Sequence, residues 1–189
     1  MMTEYRGHEE NSGKLNEHFT LGEINPTPEY LKELKDVQKK NGYVSYEDSL
    51  HLVRKFSPYD PINPAKPFLN DLRIEFIDAL GFTKDEDMDR IKIFTAVGSP
   101  LDHWHGADVF IEIENENHRG SYIVMFDLKT DAKVESEIKR NNLHDLKAHV
   151  LIYDIPDSRE DNKKYLVRMG EIGEEAAEVF RKMENRAAA

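Results

Sequence analysis

Three residues have the types and spacing for phosphoryl chemistry: Asp108, and Asp127 with Lys129 two positions after it. Two carboxylates brought together repel each other unless one is protonated or a cation lies between them. A hard divalent cation takes oxygen ligands and leaves positions for water and phosphate. An ammonium in the same space balances the remaining negative charge. The chemistry therefore requires the chain to fold back so that Asp108 meets Asp127.

The intervening stretch, WHGADVFIEIENENHRGSYIVMFDLKTD from Trp104 to Asp131, provides that fold. It reads as two β-strands joined by a polar turn. Side chains on a strand alternate between faces. Val109, Ile111 and Ile113 share one face of the first strand, and Asp108, Phe110 and Glu112 share the other. In the second, Tyr122, Val124, Phe126 and Leu128 oppose Ile123, Met125, Asp127 and Lys129. The run Asn115 to Gly120 suits a hairpin loop. A hairpin symmetric about the Asn117–His118 bond sets Asp108 directly opposite Asp127, roughly 4.5–5.5 Å away at Cβ.

Composition sets the outer limits. The chain has 189 residues, 39% hydrophobic and 33% charged, enough for one domain with an appendage. No apolar run approaches the ~20 residues that span a bilayer, and no basic-then-apolar leader opens the chain. With zero cysteines there is no disulfide framework and no thiolate site. A cytoplasmic setting is the default expectation. The net charge of −11 opposes non-specific nucleic-acid binding, which favours a basic surface.

Residues 1–27 are polar, aperiodic and rich in glycine, and read as a mobile or loosely docked arm. Residues 28–41 have Tyr30, Leu31, Leu34 and Val37 at helical spacing. A second helix follows from Tyr46 to Phe56, with Ser45 as N-cap and Glu47 and Asp48 in its first turn. The proline-rich run to 66 reads as a linker, making 28–66 a helical appendage and 67–186 the main domain. The main domain opens with an amphipathic helix whose stripe is Phe68, Leu72, Phe76, Ala79 and Leu80. Arg90 to Val97 alternates as a strand, residues 132–142 suit a short charged helix or loop, and Val150 to Tyr153 reads as a buried strand. The segment from about Asp161 to Arg186 is helical, with Leu166, Met169, Ile172, Ala176, Val179, Phe180 and Met183 on one side.

The order of elements predicts an α+β fold with a mixed sheet. Asp108 followed by Asp127-Leu128-Lys129 one strand later, in that order of elements, resembles the PD-(D/E)xK nuclease superfamily over roughly residues 67–155. The family's Pro-Asp dipeptide is replaced here by Ala107-Asp108. The resemblance implies an αβββαβ restriction-endonuclease-like core and metal-dependent hydrolysis of a nucleic-acid phosphodiester, with DNA the expected substrate. It implies Mg²⁺ or Mn²⁺ held by Asp108, Asp127 and the Leu128 carbonyl, and Lys129 as the catalytic cation. In the family the preceding helix often adds an acid, and Glu75 occupies that element. Many relatives cut duplexes as homodimers.

Two other readings stand beside this one. His103-Trp104-His105 would put both imidazoles on one face of a strand, which suits Zn²⁺, Fe²⁺ or Mn²⁺. With Glu112 and Gly120 it loosely resembles the first cupin motif, although the spacing departs and helices dominate both ends. The two histidines could instead line the rim of the nuclease-like site. The second reading is a non-catalytic module of the same fold, binding a protein partner through its acidic surface and N-terminal helices. Trp104, the only Trp, is expected to pack at the sheet edge.

Overall fold

The computed structural model describes residues 18–115, 120–129 and 148–187. The expected α+β architecture with a mixed sheet is present. The helices are α1 (Pro28–Val37), α2 (Tyr46–Phe56), α3 (Pro67–Leu80), α4 (Asp85–Met88), α5 (Pro100–His105) and α6 (Asn162–Ala187). The strands are β1 (Ile91–Thr95), β2 (Val109–Glu114), β3 (Ser121–Leu128) and β4 (Val150–Ile152), in spatial order β1-β2-β3-β4. The first three form an antiparallel meander, and β4 joins β3 in parallel. The short charged helix or loop expected at 132–142 lies outside the described residues.

Alternation along the strands divides the core in two. Val109, Ile111, Ile113, Val124 and Phe126 face the α3–α6 layer, against Phe68, Leu72, Phe76, Met169, Ile172 and Phe180. Phe94, Phe110 and Met125 face the other way, into a second cluster with Tyr30, Leu50, Leu52, Val53 and Leu101. Burying each such Leu or Phe contributes about 1.5–3 kcal/mol, so both layers hold the sheet strongly.

That second cluster corrects the domain reading. The N-terminal helices α1 and α2 cover one face of the sheet and belong to the same core as the residues after 67. Arg54 of α2 reinforces the contact with a two-pronged bond to Glu112 on β2, at 2.9 Å for each nitrogen. The proline-rich run does not separate two bodies either. The Pro61 carbonyl accepts from the Ile93 N–H at 2.9 Å, so this segment supplies a hydrogen-bond partner to β1 at the sheet's edge. Prolines donate no N–H, but their carbonyls still accept.

The arm is also tighter than its composition suggests. Residues 1–17 lie outside the described residues, but Leu21 and Ile24 are buried in the two clusters. The Ile24 N–H donates to Val97 O at 3.0 Å, and Thr95 Oγ1 to Gly22 O at 3.2 Å. Two apolar residues among polar ones were enough to anchor it.

Three element readings also change. Pro100 to His105 is a helix capped by the Ser99 hydroxyl, which accepts from the Leu101 N–H, so the first hairpin strand begins only at Val109. The strand at 150–153 is short and at the sheet's edge, and Tyr153 is 37% exposed. On α6 the buried stripe runs through Tyr165, Met169, Ile172, Ala176 and Phe180, leaving Leu166 exposed. Among the described residues, no helix is long and apolar enough to cross a membrane.

Candidate functional site

The hairpin register is the symmetric one, running from Val109↔Phe126 to Glu114↔Ser121. Asn115 N–H donates to Gly120 O at 3.1 Å, closing the ladder next to the turn. Hydrogen-bonded pairs recur at every second position of an antiparallel ladder. After Val109–Phe126 the next such pair would be Ala107 with Leu128.

That pair is replaced. The Asp108 N–H donates to Phe126 O at 2.9 Å, one residue out of register, so Asp108 and Val109 both abut Phe126. Two residues against one is the pattern of a β-bulge, which re-aims a side chain. The Leu128 N–H, without its ladder partner, donates instead to Asp108 Oδ2 at 2.7 Å. The expected face-to-face placement of Asp108 and Asp127 is thereby corrected: the Asp108 carboxylate reaches the β3 main chain between Asp127 and Lys129.

Asp108 is tied to backbone at its N–H, its carbonyl and one carboxylate oxygen. Its carbonyl accepts from the Ala96 N–H at 2.7 Å, tying it to the chain just after β1. The residue is only 6% exposed, and a carboxylate so deeply placed requires partners of this kind.

Asp127 and Lys129 share one face of β3, as their spacing of two requires, and form an ion pair with Lys129 Nζ 2.7 Å from Asp127 Oδ2. Their side chains are 14% and 20% exposed, so the pair is largely but not wholly shielded from solvent. Asp127 lies beside Leu151, and the Lys129 N–H donates to Ile152 O at 2.9 Å. Strand β3 is therefore pinned on both flanks where it carries the pair. Parallel strands present ligands beyond their carboxyl ends, and Asp127 and Lys129 sit at that end of β3.

The donor set is all oxygen: two carboxylates, one bonded to the Leu128 N–H and one paired with Lys129. It suits a hard divalent cation whose shell is completed by water, rather than a closed protein cage. Among the described residues, no group of three or more His, Cys, Asp or Glu that could hold a metal ion occurs.

Comparisons with protein-family models, with curated proteins and with solved structures return no match. The site's meaning therefore rests on its own geometry.

Glu75 lies elsewhere, in the seam where α3 packs on α6. A Cβ on Gly170 would stand 3.5 Å from Glu75 Oε2, and one on Gly173 only 2.8 Å from the Glu75 backbone. Burial raises its pKa, and the carboxylates of Asp78 and Asp71 add to the effect. The helix positions Glu75 on the α6 side, and its neighbours are those of the seam.

The histidine pair is also corrected. On a helix, residues two apart point in widely different directions, so His103 and His105 do not share a face. His105 Nε2 lies 3.1 Å from Val44 O and its ring meets Tyr43 and Tyr46 edge-on. His103 is exposed and edge-on to Trp104. Glu112, the third member of the cupin-like set, is engaged by Arg54 and Ser121. Trp104 packs near Tyr43 rather than on the sheet edge. The bulge at Asp108 was the feature that sequence reasoning missed, and the unmatched parity of Ala107 and Leu128 has no composition signal.

Proposed function

We propose that this chain is a divalent-cation-dependent nuclease, with Asp108, Asp127 and Lys129 as its reacting site. The observation that carries the reading is the clamp at the end of β3. Asp108 is fixed on the Leu128 N–H at 2.7 Å, between Asp127 and a Lys129 already paired with it at 2.7 Å.

Each side chain has a defined task. Asp108 and Asp127, with the Leu128 carbonyl, would hold Mg²⁺ or Mn²⁺. When bound, the cation acidifies a water and offsets charge on the phosphoryl oxygens. Lys129, oriented by Asp127, donates to a non-bridging phosphoryl oxygen as negative charge builds there. Water adds to phosphorus and one ester P–O bond breaks, leaving a phosphate monoester and a hydroxyl. The rigidity of Asp108 matters because a pre-aimed ligand needs no reorganisation in the transition state.

The test is cleavage of labelled single- and double-stranded DNA and RNA with Mn²⁺ or Mg²⁺ and with EDTA, comparing wild type with Lys129→Ala. The expected result is metal-dependent cutting that falls by about 10²–10³ in the variant. Cutting that survives the substitution would place the chemistry at another site. A folded wild type that cuts nothing would favour a protein-binding module, the reading to which the net charge of −11 is better suited.

A further inference from the structure

The main chain of β3 turns alternately to its two neighbours. Phe126 O and the Leu128 N–H bond to Asp108 on the β2 side, whereas the Lys129 N–H donates to Ile152 O on the β4 side. Met125 has the same parity as Lys129, so its N–H and carbonyl also turn toward β4. There it meets one residue twice. The His149 N–H donates to Met125 O at 2.9 Å, and the Met125 N–H donates to His149 Nδ1 at 3.1 Å. An imidazole thus stands where a β-ladder has a main-chain carbonyl.

That second bond fixes the state of the ring. A backbone N–H can only donate, so Nδ1 must be the unprotonated nitrogen and the ring proton must sit on Nε2. The imidazolium carries a proton on both nitrogens and cannot accept. Met125 is buried, and a buried N–H left without a partner is costly. One side of His149 is open to solvent, so protons reach it, while its packed side lowers its pKa below the ordinary 6.5 and favours the neutral ring.

Few charges stand near enough to alter this titration. On β3 the charged residues nearest in register are Asp127 and Lys129, which are paired with each other. Val150, Leu151 and Ile152 of β4 carry no charge, and the cluster against which Ala148 packs is apolar. Lys147 lies outside the described residues. Strand β4 has three residues and lies at the sheet's edge, so the loss of one bond weighs heavily on it.

We propose that His149 is an acid-sensitive latch: neutral, it holds the start of β4 on β3, and protonated, it lets β4 part from the strand that carries Asp127 and Lys129. The latch rests on the β3–β4 pairing and not on the nuclease reading. Its sign follows from the bond. The latch is closed above the ordinary pKa of 6.5 and opens as pH falls through the lower pKa of the folded chain.

The full-length chain, labelled with ¹⁵N, is followed by NMR from pH 7.5 down to 4.5. Ring nitrogen shifts report which nitrogen of His149 carries the proton. Amide exchange, corrected for its intrinsic pH dependence, reports protection at Met125 and Lys129. At pH 7.5 the proton is expected on Nε2. As the ring gains its second proton, protection at both amides is expected to fall about tenfold, while amides within the β1–β2 ladder keep theirs. His149→Asn supplies an acceptor that does not titrate, with Oδ1 close to the place of Nδ1, and is expected to hold protection throughout. His149→Ala has no acceptor and is expected to show low protection at Met125 at every pH.

A proton on Nδ1 at pH 7.5, a ring that stays neutral throughout, or an equal fall in wild type and His149→Asn would overturn the latch. So would protection at Met125 that survives protonation of the ring. A fall confined to Met125 would overturn the release of β4, since the bond from Lys129 would have held. The readout needs neither metal nor substrate, so failure of the nuclease reading would not move it.

Discussion

Two acidic regions of this molecule answer the same problem in different ways. At the end of β3, Asp108 and Asp127 are stabilised as anions by a backbone N–H and an ammonium. In the α3–α6 seam, Glu75 lies near Asp71 and Asp78, and burial and those carboxylates favour its neutral form. Tyr165 donates to Asp71 Oδ2 at 2.7 Å, a neutral donor rather than a cation. The end of β3 thus gives its carboxylates an N–H and an ammonium as partners, whereas the seam favours the neutral form of Glu75.

The largest effect that tests this contrast is on cleavage. Asp127→Asn keeps the shape of the site and removes the charge, and is expected to lower the cleavage rate by about 10² or more. Glu75→Gln, the equivalent change in the seam, is expected to leave the rate essentially unchanged. Single-turnover cleavage at saturating Mn²⁺ measures both. An equal loss in the two variants would break the contrast and return Glu75 to the reacting group.

A second test moves the seam without touching the end of β3. Gly173 allows α6 to approach the Glu75 backbone so closely that an added Cβ would stand 2.8 Å from it. Backbone cannot rotate away as a flexible side chain would, so Gly173→Ala must separate the helices. The expected cost is about 1–3 kcal/mol, seen as a Tm lower by several degrees. Cleavage well below the transition should remain metal-dependent and Lys129-dependent. An unchanged Tm would mean that the seam is looser than its geometry indicates.

The same contrast explains which residues were legible in the sequence. On β2 and β3 a period of two fixes the face, and the hairpin's symmetry fixes the register, so Asp127 and Lys129 could be paired from spacing alone. The bulge at Asp108 was hidden because it replaces one ladder bond at the strand's start, where no residue type demands it. Glu75 shows the limit for helices. Its place on the apolar margin of α3 is readable, but which neighbour covers that margin depends on α6, almost a hundred residues later. His103-Trp104-His105 fails for a related reason: the Ser99-Pro100 start makes it a helix, and a changed period scatters the pair. The N-terminal helices were found, while their burial on the sheet depends on partners such as Phe110 and Met125 that alternation alone leaves unassigned.

The smallest effect tests the electrostatics of the seam directly. Glu75 has its pKa raised in the folded chain above its ordinary value of 4.5, chiefly by burial. The folded state therefore holds this proton more tightly than the unfolded state does. By linkage, stability falls as pH rises from about 4.5 through the folded pKa, and the loss is complete above it. Glu75→Gln, which is neutral throughout, is expected to remove that part of the slope and to be slightly more stable than wild type at pH 7. Asp157 provides the internal control, because Arg159 lowers its pKa to about 2 and its titration lies below this window. Tm measured from pH 4.5 to 7.5 for wild type and Glu75→Gln reads the difference. Parallel profiles would show that Glu75 is solvated in solution and that the seam does not favour its neutral form.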